Sequence, residues 1–418
     1  MIERKRKTLI GILIFFVLTI TPLPVFAAQL VGSQFPIAND ALQEVTPSLA
    51  YNSKDHQYLV VWSNDRPGND DIRAQRLGAD GSLIGGPFYI SAGPGHDRWN
   101  PDVVYNRKHD QYLVVWEDFD SVSVLPWSSV RARRVSGTGS VLDATDVVIA
   151  GACSWDYLLY EPAVAYASAS DRYLVVWMEI DFISTPSKYS IKSQVVTHQG
   201  NLEGLAEVIS SSTRMRFSPD LAYNHRENRY MVAWTEYNNA TKIHEIKGKQ
   251  VEGNGNLWGS IASYGSSGLA YQGPAVAALP NSASDKTYMI AWIYKDNTFN
   301  GKGYDYVYVN QAGVMRSHKS WHSSYSMDHI AVSANPNSKT FLLAYGLKDC
   351  IKILQEDVLT NFLNDFWIHG HANDFPAIAA GPTGDYLVTW QGQPPSITHT
   401  NINGQIIGNR SYLPLIKR

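Results

Sequence analysis

The sequence predicts an all-β chain folded as a seven-bladed β-propeller of four-stranded blades, closed by pairing of its N- and C-terminal strands. Three observations carry this expectation. A unit of proline, short apolar strand, tight polar turn and apolar strand ending in an aromatic recurs along the chain. It reads PSLAYNSKDHQYLVVW at 47–62, PDVVYNRKHDQYLVVW at 101–116, PAVAYASASDRYLVVW at 162–177 and PDLAYNHRENRYMVAW at 219–234. Looser copies stand at 274–292, 328–345 and 376–390, the second of these with Asp for Pro and Tyr for Trp. The closing aromatics Trp62, Trp116, Trp177, Trp234, Trp292, Tyr345 and Trp390 are spaced by 54, 61, 57, 58, 53 and 45 residues. Helical character, finally, is confined to one segment, residues 351–364.

Each unit supplies four apolar segments. The first follows the proline. The second, of YLVVW type, is apolar without alternation, as expected of a strand covered on both faces. The third alternates, as in IRAQRL at 72–77, and the fourth follows a glycine turn, as in GSLIGGPFYIS at 81–91. Four short strands per unit at a fixed long period mark a propeller, because each blade leaves two apolar faces that only its neighbours can cover. The segment QLVGSQFPIA at 29–38 resembles a fourth strand standing ahead of the first full copy. Ring closure accounts for it, with residues 405–415 as the competing candidate for the outer strand of the last blade.

Residues 1–27 read as a signal peptide: basic ERKRK, an apolar run at 9–20, and Val25-Phe26-Ala27 as a small-residue cleavage pattern. The expected mature chain is a single propeller domain over 28–418, secreted or at the cell surface, with no stable membrane span after processing. An uncleaved anchor is the competing reading. Loss of Arg4, Lys5, Arg6, Lys7 and Glu3 would take the formal charge from −3 to −6, which offers no footprint for nucleic acid. Cys153 and Cys350 fall in different repeats, too far apart across a ring for a disulfide.

The unit of Pro, YLVVW, an RAQRL-like strand and a glycine turn resembles repeats of bacterial secreted β-propeller proteins, many of unassigned activity. The resemblance spans about residues 29–415 and implies architecture. It departs from WD40 repeats in lacking a closing Trp-Asp, from Kelch repeats in lacking the glycine pair, and from sialidase-like propellers in lacking the Asp-box string. No catalytic residue is carried over.

In such a ring the loops joining second to third and fourth to first strands share one face, and here those loops vary in length while the turns inside the strand pairs stay short. Variable loops on a rigid scaffold mark a recognition face. Acids follow the strand-end aromatics at Asp65, Glu117, Asp118, Glu179, Asp181, Glu236 and Asp296. Aromatics precede the next first strands at Trp99, Trp155, Tyr157, Tyr160, Phe217, Tyr271 and Phe375. Rings that stack on sugars beside carboxylates that accept hydroxyls form a glycan site. Trp99, Trp155, Tyr157, Phe217, Asp65, Glu117 and Glu236 are the candidate ligand-binding residues. Aromatics beside proline also lock loops between blades, and acids at strand ends are commonly only solvated.

The expected function is binding of an extracellular glycan or protein without catalysis. The competing reading is a glycoside hydrolase or lyase, which needs two carboxyls about 5–10 Å apart, one with a raised pKa. No cofactor is expected. Calcium is left open at Asp65, Asp70 and Asp71, without an EF-hand string to support it. His369 and His371 offer weak spacing for zinc, and an exposed loop is the preferred reading.

Overall fold

The computed structural model describes residues 29–39, 42–65, 69–120, 128–152, 156–269, 273–279, 285–295, 302–323, 327–347, 350–358, 363–369, 374–382, 384–392 and 400–408; within them every regular element is a strand. The strands form five four-stranded sheets and one larger assembly. That assembly is two groups of four, linked through the parallel pair Gly268 and Lys295. Each sequence repeat thus coincides with one four-strand unit, here numbered I to VII in chain order.

The first strands are Gln43–Asn52 (I), His96–Asn106 (II), Tyr157–Ala167 (III), Arg216–Asn224 (IV), Ala275–Ala278 (V), Met327–Asn335 (VI) and Asp374–Ala380 (VII). Each packs against the first strand of the next unit, and that of VII packs against that of I. Unit VII takes its fourth strand from the other end of the chain. Gln29–Ala38 pairs with Asn401–Gly408, Leu30 opposite Ile407. The outer strand is therefore the N-terminal one. Residues 401–408 are the third strand, and 409–418 lie outside the described residues.

The YLVVW runs show why the aromatics recur. In unit II, Tyr112, Leu113, Val114, Val115 and Trp116 are all essentially inaccessible to solvent. Side chains of a strand alternate between faces. Tyr112, Val114 and Trp116 pack into the cluster shared with unit I, whereas Leu113 and Val115 pack into the one shared with III. The same division repeats between III and IV, IV and V, V and VI, and VI and VII. At the junction of VII and I, Trp62, Tyr58 and Val60 meet Ile37, Leu387, Ile402 and Ile406. A strand buried from both sides cannot alternate in polarity, so the run must be continuous.

Within 351–364, expected to be helical, residues 351–357 and 363–364 are strand residues, and 359–362 lie outside the described residues. Cys350–Asp357 is the third strand of VI and Leu363–His369 the fourth. Ile351 and Ile353 are both fully buried, a period of two set by the neighbouring unit. Local propensity over one short segment does not outweigh that packing. Cys350 is half-buried at the start of the third strand, and Cys153 lies outside the described residues. Among the described residues no helix is long and apolar enough to cross a membrane.

At the short turns of I, II, IV and VI, an asparagine ends the first strand and accepts bonds from the turn backbone. Asn106 Oδ1 takes the N–H groups of Lys108 (3.0 Å) and His109 (3.2 Å), with Asp110 left-handed at φ 51°. This Asx turn explains why the pairs are joined so tightly on that face.

Candidate functional site

On the opposite face the strands run further than the sequence suggests. The second strands of I to IV end at Asp65, Asp120, Asp181 and Asn238, three or four residues beyond their buried Trp. Glu117, Glu179 and Glu236 are therefore strand residues rather than loop residues, and Trp99 pairs across the ladder with Glu117. The reason is a β-bulge at the proline of the first strand, between Val45 and Ser48, Trp99 and Asp102, Tyr160 and Ala163, and Phe217 and Asp220. The bulge absorbs the missing proline N–H, and the ladder resumes beyond it.

The residue before the proline carries the distortion. Thr46, Asn100, Glu161, Ser218 and Phe375 all have φ between 49° and 53°. Left-handed backbone at non-glycine residues costs of order 1–3 kcal/mol each and persists only where the surroundings enforce it. First strands enter from the loop-rich side, so these residues come together there. With Pro47, Pro101, Pro162, Pro219, Pro274, Pro376, Gly273, His329 and Ile330 they line a cavity of about 450 Å³ bordered by all seven units. A second cavity, of about 310 Å³, shares Pro219, Pro274, Ile330 and Pro376 with it and reaches Ser48, Asp102, Ala163, Asp220, Ala275 and Ala377.

Carboxylates tie this rim together. Asn100 Nδ2 (2.8 Å) and the Glu161 backbone N–H (2.5 Å) both donate to Glu117 Oε1, joining II to III. The Ser218 N–H (2.5 Å) and hydroxyl (3.0 Å) donate to Glu161, joining III to IV. Asp102 accepts from the Ser48 hydroxyl (2.8 Å) of I and the Val164 N–H (2.8 Å) of III. Asp220 accepts from the Val276 N–H (2.6 Å) of V. Burial pushes the Glu117 carboxyl up to about 7, with the Glu161 charge adding to it. Burial, and then the Asp102 charge, raises Asp220 to about 7 as well. Glu161 and Asp102 are raised by burial too.

The structure brings part of the predicted site together. Trp99, 36% exposed, leads a chain of rings through Phe119 (6.0 Å) to Tyr160 (5.9 Å), beside Glu117. Its indole N–H donates to Asp70. The Asp70 carbonyl accepts from Arg98, and Asp71 accepts from the Gly93 N–H at 3.2 Å, so this pair anchors the loop. Asp65 closes the second strand of I, and its side chain is outside the described residues, as are Trp155, Tyr271, Asp296 and His371. His369 ends a strand, stacked near Trp367 at 6.3 Å.

Other candidates sit elsewhere and are engaged in structural contacts. Glu236 is buried between Arg216 (2.8 Å) and Arg214 (3.2 Å). Phe217 packs edge-on against His244 at 5.5 Å. Tyr157 faces Asp181 at the far end of the ladder in III. Glu179 pairs with Lys192 at 2.6 Å. Asp118 is buried among His96 (2.8 Å), Arg131 (3.1 Å) and Arg98 (3.4 Å).

The pre-proline residues Asn100, Glu161 and Ser218, and the post-proline acids Asp102 and Asp220, were missed as site residues. A signal existed. In the six repeats that carry the proline the residue before it varies, so the fixed frame presents a variable side chain at a fixed place.

Among solved structures, the chain is similar to an endo-arabinase from Bacteroides thetaiotaomicron, 12% identical over 70% of this chain and 97% of that one, with a TM-score of 0.39. It is similar to the NanB sialidase of Streptococcus pneumoniae, 10% identical over 93% of this chain and 72% of that one, TM-score 0.49. It is also similar to a xylan β-1,4-xylosidase from Bacillus halodurans, 11% identical over 90% and 97%, TM-score 0.38. No protein-family model and no curated protein matches the chain.

Proposed function

We propose that the chain is a seven-bladed β-propeller of YLVVW-type repeats, exported after removal of residues 1–27, that binds an extracellular glycan without catalysis at the mouth of its central channel. The observation that carries this reading is the rim. Each of seven units places two residues around a cavity of about 450 Å³, five of them in left-handed backbone, and exposed Trp99 stands next to the rim residue Asn100 and across the ladder from Glu117. Polar acceptors and donors around a concave mouth, flanked by an indole, suit a sugar ring and its hydroxyls. The acids support binding rather than turnover, because Glu117 and Glu161 are occupied in holding neighbouring units together.

One observation favours the hydrolase reading: Glu117 holds its proton up to about 7, as a general acid must, next to the Glu161 carboxylate. A polysaccharide panel scored for both retention and product release separates the two. Trp99→Ala is expected to weaken retention at least about fivefold, the equivalent of 1 kcal/mol or more. Lys54→Ala, on the opposite face, leaves it unchanged. Retention indifferent to Trp99 would sink the proposed site, and product release lost in Glu117→Gln with retention intact would make the protein an enzyme. N-terminal sequencing of secreted protein should begin at Ala28; an intact Met1 in the membrane fraction counts against export.

A further inference from the structure

On the short-turn face, three turns from two units converge. His109 lies in the turn between first and second strands of II, Asp171 in the equivalent turn of III, and His198 in the turn between third and fourth strands of III. Their ligand atoms all lie within 4.8 Å of one another. Asp171 Oδ2 is 2.9 Å from His109 Nε2 and 3.7 Å from His198 Nδ1. We propose that these residues form a binding site for one divalent transition metal ion of the zinc class, stapling unit II to unit III.

Zinc takes imidazole nitrogen at about 2.0–2.1 Å and carboxylate oxygen at about 2.0–2.2 Å in a tetrahedron, which sets neighbouring donors about 3.3–3.5 Å apart. The two donor separations from Asp171 bracket that span. Two imidazoles and a carboxylate leave a fourth position for water, and all three side chains are 18–30% exposed, so an ion has access. The rings are stacked, 3.8 Å between centroids at 3°. Binding an ion requires one imidazole to turn out of this stack so that its lone pair faces the metal.

Outer contacts already position each donor. Tyr166 donates its hydroxyl to the other Asp171 oxygen at 2.8 Å. The Asn106 side chain holds the His109 backbone at 3.2 Å. Gln111 Nε2 (2.5 Å) and Arg134 (3.4 Å) donate to the His198 carbonyl, tying that turn to unit II. Such second contacts are what orient metal ligands.

The junction between I and II is the control that nature supplies. There Lys54 meets Asp110 at 2.6 Å and Tyr105 donates to Asp110 at 2.9 Å, matching Lys108 (2.7 Å) and Tyr166 on Asp171. Gln57 donates to the Gly137 carbonyl at 2.8 Å, as Gln111 does to His198. The latch is thus complete at I/II with Asp55 and Gly137 where II/III has His109 and His198. The histidines are an addition that the latch itself does not require. Lys108 occupies the place a cation would take on Asp171, and, being 61% exposed, it can swing clear.

The test uses tag-free, chelator-stripped full-length protein titrated with Zn²⁺ alone by calorimetry, and with Co²⁺ by absorption. One ion per chain is expected, with a tetrahedral cobalt spectrum. His198→Gly, which installs the residue found at the I/II junction, and His109→Asp, which does the same for the turn, should each weaken binding at least about tenfold. Lys108→Ala should hold affinity or tighten it. No zinc uptake by the parent, uptake unchanged in His198→Gly, or weaker uptake in Lys108→Ala would each overturn the site.

Discussion

Glu117 on the loop-rich face and Asp171 on the short-turn face both bridge units II and III, yet their proton affinities move in opposite directions. Glu117 receives only neutral donors, Asn100 and a backbone N–H, and burial raises it to about 7. Burial also acts to raise Asp171, but hydrogen bonds from His109, Lys108 and Tyr166 outweigh it and hold the carboxyl well below the usual range. Asp110, with Lys54 and Tyr105, behaves likewise. At the II/III junction one face therefore joins its units through a desolvated acid without a cation, and the other through charge-assisted pairs open to water. A carboxylate whose neutral hydrogen bonds do not offset its desolvation keeps its proton to higher pH; one that also gains an ammonium or imidazolium partner gives it up.

The largest effect should come from the core between the two latches. Trp177, 1% exposed in the cluster shared by II and III, should cost about 3–5 kcal/mol on truncation to Ala, measured by chemical denaturation. Trp99→Ala, at the half-open rim, should cost much less. Equal losses would mean that the rim, and not only the core, is structural.

Next in size is the titration of Glu117. Its folded pKa lies above the unfolded value, so the stability it contributes is fully present below about pH 4 and is lost as pH rises through about 7. Glu117→Gln keeps an acceptor oxygen for Asn100 and Glu161. It should stabilise the protein near pH 8, by up to about 3 kcal/mol, and flatten the stability profile between about pH 4 and 7. A variant less stable than the parent near pH 8 would show that the charged form is the favoured one.

The smallest effect, of opposite sign, belongs to Asp171. Its depressed folded pKa gives stability that is present above the unfolded value and lost as pH falls through the folded one. Asp171→Asn should lose about 1 kcal/mol at neutral pH, since the group is partly screened by solvent. That difference should shrink below about pH 4. Urea titrations of the parent and both variants across pH place the two faces on one scale.

The repeat frame, the doubly buried YLVVW strands and the spare N-terminal strand were legible because each follows from period and polarity. Tyr112 to Trp116 are apolar at every position, and only a strand covered on both sides needs that. The helical expectation for 351–364 failed for the complementary reason: Ile351 and Ile353 take their period from unit VII, which is remote in sequence. Trp99 and Glu117 were found as site candidates because they flank a recognisable landmark. Glu236 was found by the same landmark, and the structure shows it bound to two arginines.

By itself the sequence determined how many times a unit recurs, which strands are buried on both faces, and which loops vary. All of these are properties of single segments read along the chain. Tertiary structure alone decided which acids meet cations and which meet only amides, because those partners come from different repeats, such as Lys108 with Asp171 and Glu117 with the Glu161 backbone. It decided that Gln29–Ala38, rather than the C-terminal segment, completes unit VII. It also brought His109 and His198 together across 89 residues. Electrostatics and coordination depend on distances of a few ångströms between turns of neighbouring units, and sequence separation carries no measure of them.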